Sequence, residues 1–384
     1  MTVHSMLAAD ADVRDENLGR CADVRDENLG RCADVRDENL GRCADVLDEN
    51  LGRLRDAGPE YGGTLTNHAP MVAEALIALR RPALVEDWIT GYLPQLDEAP
   101  GPLEPIPATR WHTALGDLRR VTDWQAFFAG EIARDGWRPA LHRWWPRLLP
   151  GVAAGATHGV IRTSHAVRGL AAGDTEERRA EFATALAYWA ARYAPLPGGP
   201  TGAGRLPLAR AIEGLPLHPG GVHPGLIRDR LDTVAGIDGF PAAVSALRSP
   251  GDAGAAMAEL ATTFAGVFLT RGRRWPTAFV HAVTAPVAAG SVLPLLPPAA
   301  RRDTYDALWR LAAGLYAVHA PDAVTEPLPQ GAPPAEDDLI DRAVANGDEH
   351  AIKLTEACLR AYRSTGDAVL LHAAEHGLTL LPEV

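Results

Sequence analysis

Lys353 is the only lysine among the 37 lysines and arginines of this sequence, and it follows His350 by three residues. Positions three apart share a face of a helix, so the amine and the imidazole could act at the same point. A general preference for arginine would also leave one lysine at an arbitrary position. Alternatively, the position requires a primary amine that arginine cannot supply, as a base, an imine former or a carbamylated metal ligand.

Three further histidines stand in settings that could bring them to a metal ion. His68 lies at a predicted loop-to-helix junction, and His158 and His281 lie in mostly apolar stretches. Each one taken singly is more often a hydrogen-bonded core histidine than a ligand. Together with His350 they predict a metal site, because helical bundles build such sites from inward side chains on facing helices.

A competing pattern lies near the end of the sequence, where His372, Glu375 and His376 match the H-x-x-E-H arrangement of some zinc peptidases. That arrangement normally needs a third protein ligand well downstream, and few residues follow it here, so we expect it to arise by chance. The remaining histidines are expected to be surface or structural residues: His4, His112, His142, His165, His218, His223 and His319.

The body of the sequence reads as helices. Apolar residues recur at helical rather than alternating spacing, for example in 71–79, 182–193 and 255–268. Proline and glycine cluster between such segments, as they do in loops and helix ends. No glycine-rich stretch fits a nucleotide-binding fingerprint, which requires a preceding strand. The sequence therefore predicts an all-α protein of about a dozen helices, a single large domain with a metal site in its core.

The composition argues against several classes of protein. The formal charge of -12 disfavours a nucleic-acid partner, because phosphate binding requires a basic face. We find no apolar run of membrane-spanning length and no signal peptide, and we therefore predict a cytoplasmic protein without a membrane partner. The cysteines form neither a disulfide framework nor a CxxC metal site.

The first part of the chain is repetitive. The segment ADVRDENLGRC occurs three times in tandem from Ala11 to Cys43 and once more in altered form. An eleven-residue period is compatible with a continuous helix, but each copy offers little apolar surface to bury. Identical copies indicate the recent duplication of a short segment. We predict a functionless extension over 1–46 and a catalytic domain over 47–384; a coiled-coil stalk is the alternative.

Several motifs of the catalytic domain occur together in one order. They are Tyr61-Gly62-Gly63, Asn67-His68 with Pro70-Met71, Phe127-Phe128, Leu149-Pro150-Gly151, His158 to Thr163, His281 with Thr284, and His350 with Lys353 and Glu356-Ala357. In order and spacing they resemble the questin oxidase-like family, and the resemblance runs from about Leu47 to the C-terminus. It implies an oxidoreductase of aromatic polyketide pathways that opens the ring of an anthraquinone or a related polycyclic quinone.

The resemblance also implies a mononuclear non-haem Fe(II) centre with O2 as co-substrate. Carried over residue by residue, its ligands would be His68, His158, His281, His350 and Lys353, the last as a CO2-derived carbamate. Fungal relatives tend to carry a second histidine four residues after the His158 position, where this chain has Arg162. We therefore count Arg162 with His350 and Lys353 as catalytic candidates.

The residue types suit this chemistry. Lysine binds CO2 only as the free amine, so its pKa must fall well below the usual value of about 10.4, as burial would make it do. Four neutral imidazoles and one anionic oxygen suit Fe(II). Five protein ligands would leave one position open for dioxygen, so the polycyclic aromatic substrate should bind beside the metal. Five tryptophans could line its pocket: Trp111, Trp124, Trp137, Trp144 and Trp145.

Two alternatives remain open at this point. The first is a Baeyer–Villiger-type monooxygenase that uses the same pocket without a metal or with NADPH. The second is a helical protein that binds a pathway intermediate without catalysing a reaction. Metal analysis separates the first alternative from the iron enzyme, and consumption of O2 separates the second.

Deletion of the repeats Ala11 to Cys43 should leave folding and activity nearly unchanged, because they hold too little apolar surface to anchor on the catalytic domain. Thermal unfolding and iron content of the full and shortened chains would be compared. A shortened chain that precipitated or lost its metal would favour the stalk instead.

Overall fold

The computed structural model describes residues 45–198, 204–220, 225–321 and 323–382. Within them the chain forms sixteen helices and a small sheet, so the all-α prediction is confirmed, with more helices than the dozen expected. The helices are α1 (residues 45–53), α2 (Ala69–Ala78), α3 (Val85–Tyr92), α4 (Val121–Asp135), α5 (Trp137–Leu148), α6 (His158–Ala172), α7 (Glu176–Ala191), α8 (Leu208–Glu213), α9 (Ile227–Asp232), α10 (Phe240–Ser245), α11 (Ala253–Arg271), α12 (Pro276–Val292), α13 (Pro298–His319), α14 (Glu336–Asn346), α15 (Glu349–Thr365) and α16 (Val369–Leu380).

The division of the chain into a functionless extension and a catalytic domain stays a prediction. Asp48–Val384 forms one compact unit, which begins one residue after the expected boundary. The identical repeats lie outside the described residues, so their proposed lack of function stays a prediction.

A three-stranded antiparallel sheet, which the helical periodicity did not predict, is formed by two strands before α2 and one strand after α3. Its strands are β1 (Ala57–Tyr61), β2 (Leu65–Thr66) and β3 (Leu96–Glu98), in the order β2-β1-β3. Gly58 allows the close approach of β1 and β3, because a Cβ atom there would lie 2.1 Å from the carbonyl oxygen of Asp97. The β1–β2 hairpin ends just before His68 and so fixes where the chain enters α2.

Four helices pack around the middle of the protein. α2 contacts α6 and α15, and α12 also contacts both α6 and α15. α12 is buried along most of its length, from Ala278 to Ala289, so apolar residues surround it and no polar face develops. These four helices carry or immediately follow the histidines that the sequence singles out.

A buried network of charges joins three of these helices. Arg168 on α6 binds Glu74 on α2 through Nε at 3.0 Å, and it binds Glu356 on α15 through Nη2 at 3.0 Å. His165, one turn earlier on α6, lies 2.7 Å from the same Glu74 carboxylate. Removing one partner from such a buried pair typically costs about 3–5 kcal/mol, because the other charge is left uncompensated. The network therefore holds α2, α6 and α15 in one relative position.

Two helices are long and apolar enough to cross a membrane, within Ala253–Arg274 and Pro276–Leu295. The statement that no apolar run reaches that length is therefore wrong for these segments. In the second, 78% of the most apolar window is buried inside the protein. Core helices meet the same criteria of length and composition, and the cytoplasmic location stays a prediction.

Gly159 provides a test of how tightly α6 packs. A Cβ atom at this position would lie 2.8 Å from the ring of Trp189, whose indole N–H is held by the carbonyl of Gly151. Gly159→Ala should therefore lower the free energy of unfolding by about 1–3 kcal/mol, because the ring cannot move away freely.

Gly130 in α4 is the matched control, because a Cβ atom there meets nothing within 4 Å. Gly130→Ala should raise the free energy of unfolding by about 0.5–1 kcal/mol through helix propensity alone. Urea unfolding of both variants measures the two changes. Equal effects at the two positions would contradict the close packing of α6 on α7.

Candidate metal centre

His68 is placed by the turn between the sheet and α2. The side chain of Asn67 donates to the carbonyl of Gly58 at 2.9 Å and accepts from the amide of Ala69 at 3.0 Å. The backbone N–H of His68 donates to the hydroxyl of Tyr92 at 3.2 Å. Hydrogen bonds thus fix the chain on both sides of His68, and its buried ring has a defined direction.

His158 begins α6 after a strained turn. Gly155, Ala156 and Thr157 have φ values of 55°, 53° and 85°, in the left-handed region. Only glycine occupies that region freely, so Ala156 and Thr157 each cost about 1–3 kcal/mol. The turn places the carbonyl of Gly155 2.6 Å from Nδ1 of His158. The strained turn therefore orients His158, one of the candidate ligands.

His281 lies in the middle of α12, and its side chain is buried with both ring nitrogens lacking a hydrogen-bond partner among the described residues. The carbonyl of Ala156 lies near enough to favour the protonated ring, but it does not reach hydrogen-bond geometry. A buried imidazole without partners is costly, since each polar atom loses its water. One of these nitrogens could therefore serve as a metal ligand.

His350 and Lys353 lie on the first turn and a half of α15. The carboxylate of Asp348 caps the helix by accepting from the amides of His350 at 2.9 Å and Ala351 at 3.0 Å. Lys353 follows one turn later and is only 4% exposed. The cap sets where the helix begins, and with it the direction of both side chains.

The four histidines converge, although they come from four separate segments. Nε2 of His68 lies 2.6 Å from Nε2 of His158. One ring nitrogen from each of His68, His158 and His350 fits within 4.8 Å of the others, as a shared metal ion would require. The ring centroid of His281 lies 4.6 Å from that of His158 and 5.5 Å from that of His350.

The tautomers of His68 and His158 make this convergence informative. Nδ1 of His68 faces a carboxylate oxygen of Glu349 at 2.8 Å, and Nδ1 of His158 faces the Gly155 carbonyl. Both partners only accept hydrogen bonds, so each Nδ1 carries the proton. In the neutral rings the two Nε2 lone pairs then point at each other. Such an arrangement is repulsive unless a cation lies between them.

The surroundings keep these rings neutral. The pKa of His68 is lowered to about 4, chiefly by burial and next by the positive charge of Lys353. Burial likewise lowers the pKa of His158, His281 and His350 well below the usual value, and the charge of Lys353 contributes to each shift. A proton shared between two rings is therefore disfavoured. Neutral imidazole is also the form that ligates a metal.

The pKa of Lys353 is lowered as well. Burial lowers the pKa of its amine to about 8, while Glu349 and Asp348 oppose the shift through their charges. The prediction that this lysine is buried in an apolar setting and has a lowered pKa agrees with the structure. Its charge acts on all four imidazoles, which places it within electrostatic range of each of them.

Glu349 was not anticipated, although it directly precedes His350 in the sequence. One of its oxygens accepts from both Nδ1 of His68 and the hydroxyl of Tyr61, which lies at 3.0 Å. Burial raises its pKa, but the hydrogen bond from His68 and the positive charge of Lys353 oppose burial, and the pKa is lowered to about 2. Glu349 is thus a carboxylate that orients a candidate ligand through its second nitrogen.

All four histidines line one cavity of about 350 Å³. That volume is in the range of small-molecule sites. On its wall the hydroxyl of Thr66 lies 2.7 Å from that of Tyr188, which donates to Glu60 at 3.0 Å. Arg192 also binds Glu60, through Nε at 2.7 Å. A continuous hydrogen-bonded chain therefore leads from the cavity wall to a partly exposed arginine.

Arg162 occupies a different position from the one predicted. Its guanidinium forms a two-point ion pair with Glu181 on α7, at 2.7 and 2.8 Å, and it is not among the residues that line the cavity. Its charge reaches the site only as a minor influence that lowers the pKa of His68. The geometry makes Arg162 a tie between α6 and α7 rather than a group that touches a substrate.

Other predicted residues lie elsewhere. Glu375 pairs with Arg342, and the ring of His376 packs 5.2 Å from that of Phe268, so the H-x-x-E-H pattern forms no metal group among the described residues. The suggestion that five tryptophans line the pocket is wrong: none of them borders the cavity, which Trp275 does. His319, expected to be surface or structural, is buried and also borders the cavity.

No family model matches the chain, and no curated protein matches it either.

Iron binding should depend on His281 and not on His376. His281→Ala should lose most of the bound iron, because it removes a buried nitrogen that has no other partner. His376→Ala is the matched control, since it removes a half-buried histidine on another helix. Elemental analysis of both purified variants measures the iron. Loss of iron in His376→Ala, with retention in His281→Ala, would overturn this ligand set.

Proposed function

We propose that this protein is an iron-dependent oxygenase that opens a ring of a polycyclic aromatic quinone by cleaving a C–C bond. One observation carries the metal part of this proposal: the opposed lone pairs of His68 and His158 in a buried, neutral cluster of four imidazoles. The cavity beside the cluster supports a small-molecule substrate. The resemblance to the questin oxidase-like family supports the choice of reaction.

The donor set fits Fe(II). His68, His158, His281 and His350 would hold the ion through neutral imidazole nitrogens, and a carbamate on Lys353 would add an anionic oxygen. When bound, iron would supply the reactivity toward dioxygen that amino-acid side chains lack. The orphaned nitrogens of His281 argue for an ion of this kind, because they have no other partner among the described residues.

The burial and the lowered pKa of Lys353 support the proposed carbamate. With a pKa of about 8, roughly a tenth of the amine is unprotonated at neutral pH, about two hundred times more than for an exposed lysine. The nitrogen lone pair attacks the carbon of CO2, and the ammonium proton leaves to solvent. A cation that disfavours a metal is thereby replaced by an anion that favours one.

The remaining residues would prepare the site for the reaction. Glu349 holds the proton on Nδ1 of His68 and so keeps Nε2 free to ligate. The Gly155 carbonyl does the same for His158. The mostly apolar cavity receives the substrate beside the histidines and excludes bulk water. The chain from Thr66 through Tyr188 to Glu60 could move a proton between the cavity wall and the buried carboxylate of Glu60.

Substitutions of Lys353 separate this proposal from a metal-free enzyme. Lys353→Arg should lose iron and O2 consumption, because a guanidinium stays cationic and would lie against a dication. Lys353→Ala should lose both as well. Lys353→Glu should keep part of the iron, since its carboxylate resembles a shortened carbamate.

The wild-type protein provides the matching control. After CO2 is stripped at low pH, its activity should return only when bicarbonate and Fe(II) are added together. Iron content and O2 uptake with a hydroxylated anthraquinone are the two measurements. Full activity in Lys353→Arg would remove the lysine from the mechanism, and activity without any metal would favour the Baeyer–Villiger alternative.

A further inference from the structure

Three aromatic residues lead from the histidine cluster to the surface of the protein. The ring centroid of Tyr61 lies 6.5 Å from that of His68, and the ring centroid of Tyr92 lies 5.7 Å from that of Tyr61. The indole ring of Trp88 stacks on the ring of Tyr92, with 4.6 Å between the centroids and 19° between the planes. These are the distances of interacting aromatic pairs. We call Tyr61, Tyr92 and Trp88 the aromatic line.

The aromatic line connects the cavity with solvent. Tyr61 borders the cavity that the four histidines share. Tyr92 follows it and is only 5% exposed, whereas Trp88 on α3 is half-buried, so part of this residue is open to solvent. Tyrosine and tryptophan are the aromatic side chains that lose an electron most readily. An electron can therefore pass between the solvent and the cavity in short steps from one such ring to the next.

Hydrogen bonds tie the inner end of the aromatic line to His68. The hydroxyl of Tyr61 donates to the same oxygen of Glu349 that accepts from Nδ1 of His68, at 3.0 and 2.8 Å. The hydroxyl of Tyr92 accepts from the backbone N–H of His68 at 3.2 Å. A phenol loses an electron more easily when its proton has an acceptor in place, and Glu349 is such an acceptor. The surroundings of Tyr61 therefore suit a phenol that is oxidised by one electron.

The outer end of the aromatic line is held rigidly. The indole N–H of Trp88 donates to the carbonyl of Gly347 at 2.9 Å. Gly347 ends α14, and the next residue caps α15, the helix of His350 and Lys353. The turn that positions two candidate ligands thus also holds Trp88. A ring in a fixed setting reorganises little when its charge changes, which favours electron transfer.

Other tryptophans lack this combination of contacts. The ring centroids of Trp145 and Trp189 lie 5.2 Å apart, and Trp189 packs on the start of α6, but both residues are fully buried. Trp111 is half-buried, and its ring contacts His112 and Trp144 but no tyrosine in the described part of the chain. Neither group joins the histidine cluster to solvent through a tyrosine.

We propose that the aromatic line is a redox relay, which delivers an electron from a thiol or ascorbate in solution to an oxidising equivalent left at the histidine cluster. Such an equivalent arises when dioxygen reacts there without a substrate to consume it. The relay then protects the four imidazoles and the cavity wall from oxidation. This inference rests on the proposed function only for the source of the oxidising equivalent.

Each cycle of the relay moves one electron and returns every proton of the protein. Tyr61 gives an electron to the oxidant and its phenolic proton to Glu349, which leaves a neutral phenoxyl radical. Trp88 then reduces this radical through the stacked ring of Tyr92, and the proton returns from Glu349 to the phenol oxygen. The reductant finally gives one electron to the indole radical cation of Trp88 and releases its own proton to solvent. No bond between heavy atoms of the protein forms or breaks.

Pulse radiolysis of the metal-free protein tests the relay without the oxygenase. The full chain is treated with a chelator and exposed to azide radicals, which oxidise accessible tryptophans to indolyl radicals. Tyrosine and tryptophan have similar reduction potentials, so the electron can also move from Tyr61 to oxidised Trp88. In the wild type, a first-order decay of the indolyl absorbance should therefore accompany a rise of the phenoxyl absorbance. Its rate should be independent of protein concentration, since the transfer lies within one molecule.

Trp88→Phe should abolish this intramolecular phase, because phenylalanine resists oxidation by azide radicals. Tyr61→Phe should remove most of the phenoxyl rise and lengthen the lifetime of the indolyl radical, and it preserves the test if Trp88→Phe does not fold. Trp111→Phe is the matched control, because Trp111 is also half-buried but contacts no tyrosine among the described residues. It should keep the phase at the wild-type rate. Absence of the phase in the wild type, or its persistence in Trp88→Phe or Tyr61→Phe, would overturn the relay.

The iron-loaded protein separates the relay from the proposed function. It is kept with O2 and ascorbate but no substrate, and peptide mass spectrometry measures the oxygen added to the four histidines. Trp88→Phe should accumulate more oxidised histidine than the wild type or Trp111→Phe. An intramolecular phase in a protein that binds no iron would support the relay and remove the oxygenase. An active iron enzyme without the phase, or with equal histidine oxidation in Trp88→Phe and the wild type, would leave the oxygenase and remove the relay.

Discussion

The burial of four neutral imidazoles against one another is the constraint on which the rest of the structure depends. Nε2 of His68 and Nε2 of His158 lie 2.6 Å apart, and in the neutral rings the acceptors beside each Nδ1 leave both Nε2 lone pairs inward. Two such nitrogens would normally turn apart or take up water. They remain together because each ring is held from its other nitrogen by a fixed acceptor. Under the proposed function, a bound cation would offset the cost of this arrangement.

Holding the rings in place requires rigid helices. Arg168 joins α2, α6 and α15 through Glu74 and Glu356, and these three helices present or follow three of the histidines. The left-handed turn before His158 is strained, and such strain persists only where its surroundings are fixed. The buried ion pairs and the close contact of Gly159 with Trp189 provide that fixed setting. These ion pairs and contacts in the core thus maintain a strained geometry that would otherwise relax.

Electrostatics connects the histidines to the lysine beside them. As an ammonium, Lys353 lowers the pKa of each imidazole and would also oppose a metal ion. Burial lowers its own pKa, so the same desolvation that keeps the rings neutral also makes the amine reactive. The removal of water therefore lowers the pKa of both kinds of candidate ligand, the imidazoles and the lysine amine. Glu349 stays an anion in this buried setting because its carboxylate accepts a hydrogen bond from Nδ1 of His68.

The sequence by itself determined the helical class and the chemical identity of the candidate ligands. Helical periodicity is a local property, and the i, i+3 relation of His350 and Lys353 follows from helix geometry alone. Their low exposure could also be anticipated from apolar neighbours such as Ile352 and Leu354. The small sheet escaped notice because β2 has only two residues and shows no alternating pattern.

Only the tertiary structure decided which polar residues share the cavity. Arg162 and Arg230 are both buried arginines, yet the first pairs with Glu181 on a neighbouring helix and lies outside the cavity, while the second lines the cavity. Glu349 gained its role from Tyr61 and His68, two partners far away in the chain. Such pairings depend on how helices pack across the core, because residues distant in sequence meet only there, and no local pattern records them.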